Sequence, residues 1–419
     1  KEKHTHELYS KIEPDSKNLG KTTTLSAGKK IPLFELVVCL VSTFTVTTKK
    51  KSIADAHRNF INLTGENISR SSFWQRLAND KLVDFLEKAV LNFAFQIQQK
   101  ALSNLSWLST FKDVFIYDAS PIRLPASLSI RFPGNRSNHS PACFKLSALY
   151  KMSVRAIEWM KLTDQKTHDS QILPDIEQLK GSLFLFDLGY FSHLFLHQLN
   201  QIGVWFVCRL KANSVPIITR VVKGVAKRYI GCPLNDKVKL RGTIVEVWAK
   251  LMLPGKGFIE VRLIGFRFPN TKQYRWYATN LPDTMLLPEW IYPIYRLRWQ
   301  IELFFKSIKS MLNADQITSA NENIAFSIAY GSILSSMIAS SIIIEEAVAV
   351  AHIELKSITA QRLMMVFSLF AHNFAQCLLS KEIKNKFLLD KLKNLFHLLI
   401  CPNRKHRPTS LEKVVMLEC

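Results

Sequence analysis

The sequence predicts an α/β protein whose core is interrupted by a mostly β insertion and flanked by a helical N-terminal domain and a helical C-terminal region. Three observations carry this. Val114-Phe115-Ile116-Tyr117 and Ser182-Leu183-Phe184-Leu185-Phe186 are short continuous apolar runs, the pattern of strands buried on both faces. Helical periodicity appears between and after them. From about Trp205 to Pro282 the pattern turns to strands. At 419 residues, 47% hydrophobic and 21% charged, the chain has globular proportions, which excludes a disordered basic tail and a collagen-like repeat.

Residues 1–105 predict the helical domain. Ile31 to Thr48 reads as a core helix with a basic exit, and Leu82, Phe85, Leu86, Ala89, Val90 and Phe93 recur at helical spacing. Ser71 is placed to cap a short helix carrying Phe73, Trp74 and Leu77. Ile53 to Leu63, the turn Thr64-Gly65-Glu66-Asn67 and the segment with Arg70, Ser71, Ser72, Gln75 and Arg76 fit two readings. One is a helix-turn-helix that presents polar residues to DNA; the other is an ordinary helical hairpin.

Residues 106–204 predict the first part of the core, and 205–285 the insertion. Within the insertion, Ile259, Val261 and Leu263 alternate against Glu260 and Arg262, and a Pro269-Asn270 turn leads to Gln273 to Thr279. Residues 286–345 return to the core, and 346–419 predict a helical region, a candidate for dimerisation, ending in the basic Arg404-Lys405-His406-Arg407. Ile324 to Ile344 has no charge over a membrane-spanning length, but its six serines favour a buried helix.

Lys plus Arg is 56 and Asp plus Glu is 33, a formal charge of +23. In residues 205–285 the counts are 15 and 4, so +11 of that excess falls on the insertion, a candidate polyanion-binding face. Seven scattered cysteines without metal-ligand or disulfide spacing predict reduced thiols, and the polar stretch Lys1 to Tyr9 carries no secretory pattern. Both point to the cytoplasm.

Asp118 and Asp187 each follow one of the two buried-strand runs. Carboxylates there can meet at one edge of a sheet, where repulsion calls for a divalent cation; a lone Asp after a strand is otherwise a common turn initiator. A helix starting near Pro293 would place Tyr295, Arg298, Glu302 and Lys309 on one narrow arc beside Ile294, Leu297, Ile301, Phe304 and Ile308. The same residues also fit a surface helix with an Arg298–Glu302 pair worth a few tenths of a kcal/mol. His168-Asp169 reads as a loop detail, since no partner follows at ligand spacing.

The spacing Tyr295-x2-Arg298-x3-Glu302-x6-Lys309 resembles the Tyr-Arg-Glu-Lys signature of the insertion-sequence-four family of bacterial DDE transposases. Asp118-Ala119-Ser120 and Asp187-Leu188-Gly189-Tyr190 match its Asp-x-Ser and Asp-x-Gly-Tyr marks, and the likeness runs over roughly residues 60–380. Ala119 stands where that family often has Gly, and Leu188 where it often has Arg.

The resemblance implies a ribonuclease-H-like core in which Asp118, Asp187 and Glu302 hold two Mg2+ ions, with Mn2+ able to substitute. It implies cut-and-paste transposition, in which water cleaves the element's end and the freed 3′-hydroxyl then attacks target DNA. Its partners would be terminal inverted repeats, target DNA and a second copy in a synaptic homodimer, with no membrane. Arg298 and Lys309 would hold phosphates with Tyr295 beside them, and Arg209 and Lys211 would touch backbone. Trp276 would stack on a base, although a tryptophan on an amphipathic strand also fits a core position. The departures at Ala119 and Leu188 leave a second reading: a DNA-binding remnant of a mobile element without catalysis.

Overall fold

The computed structural model describes residues 31–45, 51–97, 110–136, 140–153, 156–167, 172–255, 257–268, 271, 273–312, 317–353, 358, 360–380 and 385–400. The basic tail at 404–407 and His168-Asp169 lie outside the described residues.

Among the described residues, four helices come first. Helix α1 (Leu33–Thr43) is apolar and buried from Leu36 to Thr43. Helix α2 (Ile53–Thr64) starts with a capping box, the Ser52 hydroxyl accepting from the Asp55 N–H while the Asp55 carboxylate accepts from the Ser52 N–H. It stops at Gly65, whose φ of 70° is the left-handed conformation that glycine adopts without steric cost. Ser69, not Ser71, caps α3 (Arg70–Leu77), accepting from the Ser72 N–H, and α4 (Asp80–Ile97) follows.

Among the described residues, ten strands then build one sheet. They are β1 (Val114–Leu124), β2 (Pro133–Arg136), β3 (Ser140–Lys151), β4 (Ala156–Asp164), β5 (Leu183–Phe186), β6 (Trp205–Arg209), β7 (Ile217–Lys223), β8 (Ile244–Met252), β9 (Phe258–Arg267) and β10 (Tyr274–Thr279), with helix α5 (His193–Gln201) between β5 and β6. Their order is β2-β3-β1-β5-β6-β10-β9-β8-β7, with β4 on the outer side of β3. β4, β3 and β1 are antiparallel, whereas β5 is parallel to β1 and β6 to β5. Three antiparallel strands followed by two parallel ones form the ribonuclease-H-like arrangement. β6 falls within the range 205–285 expected for the insertion but, parallel to β5, it completes the core half; β10 pairs with it, so the strands that follow β6 prolong the core sheet.

Side-chain alternation divides the sheet cleanly. Val114, Ile116, Leu183, Leu185, Val207, Ile264 and Tyr277 face one core. Phe115, Tyr117, Phe184, Phe186, Phe206, Cys208, Val261, Leu263 and Ala278 face the other, which α5 covers. The first core is closed by α6 (Pro288–Arg296), α7 (Trp299–Leu312), α8 (Glu322–Ala351), α9 (Ala360–Ser380) and α10 (Asn385–Leu395), together with the N-terminal helices.

Helix α8 is the hub of that layer. Two stretches, Glu322–Ser341 and Arg362–Ser380, are long and apolar enough to cross a membrane, but the first is 83% buried within the protein itself. Its serines are satisfied inside the bundle: Ser327 and Ser335 donate to the carbonyls of Leu77 and Val41, and Ser336 pairs with Ser307 at 2.6 Å. Gly331 lets α1 approach closely, since a Cβ there would sit 3.2 Å from Leu40 Cβ.

Two expectations need correction. β1 does not end at Asp118: pairing with β3 continues to Leu124, although pairing with β5 ends at Tyr117↔Phe186. Beyond that point the β5 side of the strand is open, so Pro121 interrupts no ladder there. Likewise, the helix near Pro293 starts earlier, with Pro288 in its first turn, and Pro293 lies inside α6. The helix then breaks at Leu297–Arg298, where Leu297, Arg298 and Gln300 donate to carbonyls only three residues back. Tyr295 and Glu302 therefore belong to two helices, with Arg298 in the joint.

Candidate active site

The parallel ladder sets the first two acids side by side. One rung beyond Tyr117↔Phe186 come Asp118 and Asp187, both directed to the face covered by α6 and α7. Carrying the β5–β6 register two rungs past Leu185↔Val207 brings Arg209 next to Asp187, and Arg209 in turn pairs with Tyr277 on β10.

The helices deliver the third acid. Tyr295, buried against Tyr277 at 5.1 Å between rings, donates its hydroxyl to Asp187 Oδ1 at 3.3 Å. Arg298 donates from Nη1 to Asp118 Oδ2 at 2.5 Å and from Nη2 to Glu302 Oε1 at 2.6 Å. Its Nε is buried without a hydrogen-bond partner. Glu302, in the first turn of α7, is thereby tied across the sheet to β1.

The electrostatics follow from three neighbouring acids, two of them bonded to one guanidinium. Burial drives the Asp118 carboxyl up to about 6; Arg298 and the Ala119 N–H work against this, and the charges of Asp187 and Glu302 add to it. Tyr295 is pushed above the ordinary tyrosine range, chiefly by burial. Arg298 is held above its ordinary value because Asp118 and its neighbours more than offset the cost of burial.

This donor set suits a hard divalent cation: carboxylate oxygens only, in negative excess, with one acid already resisting ionisation. Among the described residues no three His, Cys, Asp or Glu side chains converge closely enough to hold a metal as they stand. Arg298 spans the space between Asp118 and Glu302.

The other expected residues are distributed unequally. Lys309 lies two turns beyond Glu302 with its tip exposed, and desolvation, then the like charge of Arg123, pushes its amine below the ordinary lysine range. Lys211 follows β6, with Nζ 6.0 Å from the Phe191 ring centre. Trp276 takes the core-facing place that the sequence also allowed. Alternation on β10 puts it on the sheet face opposite Tyr277 and the acids, half-buried, with its ring 3.0 Å from where a Cβ on Gly265 would lie. An exposed aromatic next to Arg298 along the chain is Trp299, 45% exposed at the start of α7, with Lys306 Nζ 4.4 Å from its ring centre. Its position directly after Arg298 was the signal available in the sequence.

A ribonuclease-H-like sheet with two carboxylates just past its central parallel pair is the arrangement expected of a metal-dependent phosphodiester-processing enzyme. The model of the transposase DDE domain matches residues 109–338, more than half of the chain, and the chain belongs to that family, an enzyme of the DDE transposase class. It is 26% identical over 390 residues to the transposase for insertion sequence element IS231F of Bacillus thuringiensis subsp. israelensis, covering 82% of this chain and 80% of that one. It is 23% identical over 306 residues to the transposase for insertion sequence element IS1151 of Clostridium perfringens, covering 63% of this chain and just under two thirds, 64%, of that one. Among solved structures, a piggyBac transposase synaptic complex with hairpin DNA matches with a TM-score of 0.46 at 12% identity, covering 96% of this chain and 84% of that one. Membership of the DDE family implies use of a divalent metal.

Proposed function

We propose that Asp118, Asp187 and Glu302 form the catalytic centre of a DNA transposase that cleaves and joins insertion-sequence ends. The observation that carries it is the position of Asp118 and Asp187, each one residue past the last paired rung Tyr117↔Phe186, with Glu302 tied to Asp118 through Arg298. The three carboxylates would hold two Mg2+ or Mn2+ ions, which supply activation of the attacking oxygen and stabilisation of the leaving oxygen in phosphodiester displacement.

The chain's own residues do the rest. Arg298 is the counter-ion of the acids in this state; once its charge is no longer needed there, it is placed to meet a phosphate at the same point. Tyr295 orients Asp187 through its hydroxyl. Arg209 on the neighbouring strand, Lys309 further along α7 and Lys211 after β6 extend the positive charge along a backbone path. Exposed Trp299, rather than Trp276, is placed to stack on a base. Residues 1–105 would read end DNA, with Arg70, Trp74 and Gln75 exposed on α3, and a second copy would pair the two ends.

The test is nicking of supercoiled plasmid in Mg2+ or Mn2+ by the wild type, Asp118→Ala and Glu302→Ala. Each substitution is expected to lower the rate by about 1,000-fold or more. Equal rates for all three would sink the proposal, and DNA binding without any metal-dependent nicking by the wild type would favour the catalytically inactive remnant.

A further inference from the structure

The sheet buries a second charged pair on the same face as the acids. Arg262 in β9 has none of its side chain exposed and Glu246 in β8 only 3%, and Arg262 Nε donates to Glu246 Oε1 at 2.6 Å. In the sequence, alternation put Arg262 with exposed Glu260; the structure seals it inside. A buried ion pair is a poor source of stability, because desolving two charges cancels most of their attraction, and apolar replacements of similar size are often as stable or more so. Its partners point to another role.

Besides Glu246, Arg262 Nη1 donates to the carbonyls of Leu286 at 2.7 Å and Pro282 at 3.4 Å. Those carbonyls belong to the irregular segment 280–287 that leads into α6. The other end of the segment is fixed by Asn280, whose amide donates to Val204 O and Asn200 Oδ1 and accepts from the Phe206 N–H. The segment thus hangs between the core strand β6 and the insertion strand β9. Two exposed pairs, Arg220–Asp283 at 3.1 Å and Lys223–Glu289 at 3.2 Å, flank it but are open to solvent and contribute little.

We infer that the Glu246–Arg262 pair is a positioning device for the reaction: it fixes the lead-in to α6, and through it Tyr295, Arg298 and Glu302, at a set height above Asp118 and Asp187. Glu246 aims the guanidinium, and the guanidinium holds the loop. The inference rests on the reading of those acids as the catalytic centre. It makes the insertion a reference surface for the third acid as well as a basic face.

The experiment compares wild type, Arg262→Lys and the double variant Arg262→Met/Glu246→Leu. Three readouts are used: Mn2+-dependent nicking of supercoiled plasmid, affinity for a short labelled duplex of mixed sequence, and amide hydrogen exchange. Lysine keeps the charge opposite Glu246 but lacks the fork that also reaches the loop carbonyls. Both variants are expected to keep duplex affinity, to nick about 10- to 100-fold more slowly and to exchange faster across residues 283–297 but not across β8 and β9. Wild-type nicking and wild-type exchange at 283–297 in either folded variant would overturn the inference; a double variant that fails to fold leaves Arg262→Lys to decide. Asp118→Asn separates the two claims. If it nicks like wild type the catalytic reading has failed, whereas if it is inactive and Arg262→Lys is unimpaired, only the positioning role has.

Discussion

Two carboxylate–guanidinium systems occupy the same face of this sheet, one in the core half around Arg298 and one in the insertion half around Arg262. Around Arg298, two of the three acids bond one guanidinium and the third lies beside Arg209, so negative charge stays in excess; the group is partly open, and Asp118 resists ionisation. Around Arg262, one acid meets one cation, solvent is excluded, Nη1 reaches backbone carbonyls, and Nη2 is buried without a hydrogen-bond partner. The interactions are chemically alike, yet the charge balance differs. Surplus negative charge leaves the first group needing something from outside the chain, while the matched pair answers only to its own loop.

Removing one partner at a time should expose that difference. Arg262→Met strands Glu246 in the interior and is expected to cost about 3 to 5 kcal/mol in chemical denaturation, most of it recovered on adding Glu246→Leu. Arg298→Met, at a site that water can reach, is expected to cost markedly less. Similar losses at both sites would erase the distinction.

A pH series sharpens it. Burial raises Asp118 from 3.8 to about 6 in the folded protein, so the folded state holds this proton more tightly than the unfolded one. Its favourable contribution is complete below about pH 4 and is lost as pH climbs through about 6. In EDTA, wild type should therefore lose stability relative to Asp118→Asn between pH 4 and 7, by at most about 3 kcal/mol. Parallel melting curves for the two proteins would show that the acids are not in surplus.

The smallest effect concerns the rim. Lys309→Ala is expected to reduce the slope of log affinity for DNA against log salt by about 1, with little change in melting temperature. An unchanged slope would remove Lys309 from the phosphate path.

How much of this was legible depended on whether the information was local. The runs before Asp118 and Asp187 announced buried strands, and Tyr295, Arg298, Glu302 and Lys309 stood out through the resemblance to the Tyr-Arg-Glu-Lys signature, since their spacing alone also fitted a surface helix. The break at Leu297–Arg298 was hidden because Pro293 looked like a helix start when Pro288 held that position. Arg262 was invisible for a deeper reason: an alternating strand reads as half-exposed, and only the packing of segment 280–287 over β9 closes the second face. For Trp276 the sequence left a stacking and a core position open, because it fixes the alternation of a strand but not which of its faces meets the chemistry.

The ladder joining β10 to β6 has a mechanical corollary. Backbone hydrogen bonding between neighbouring strands resists in-plane shear and hinging, unlike a tether of glycine and serine. A polymer laid across both halves would therefore rest on an anvil with no joint, and any curvature needed to satisfy both ends would have to be taken up by the nucleic acid.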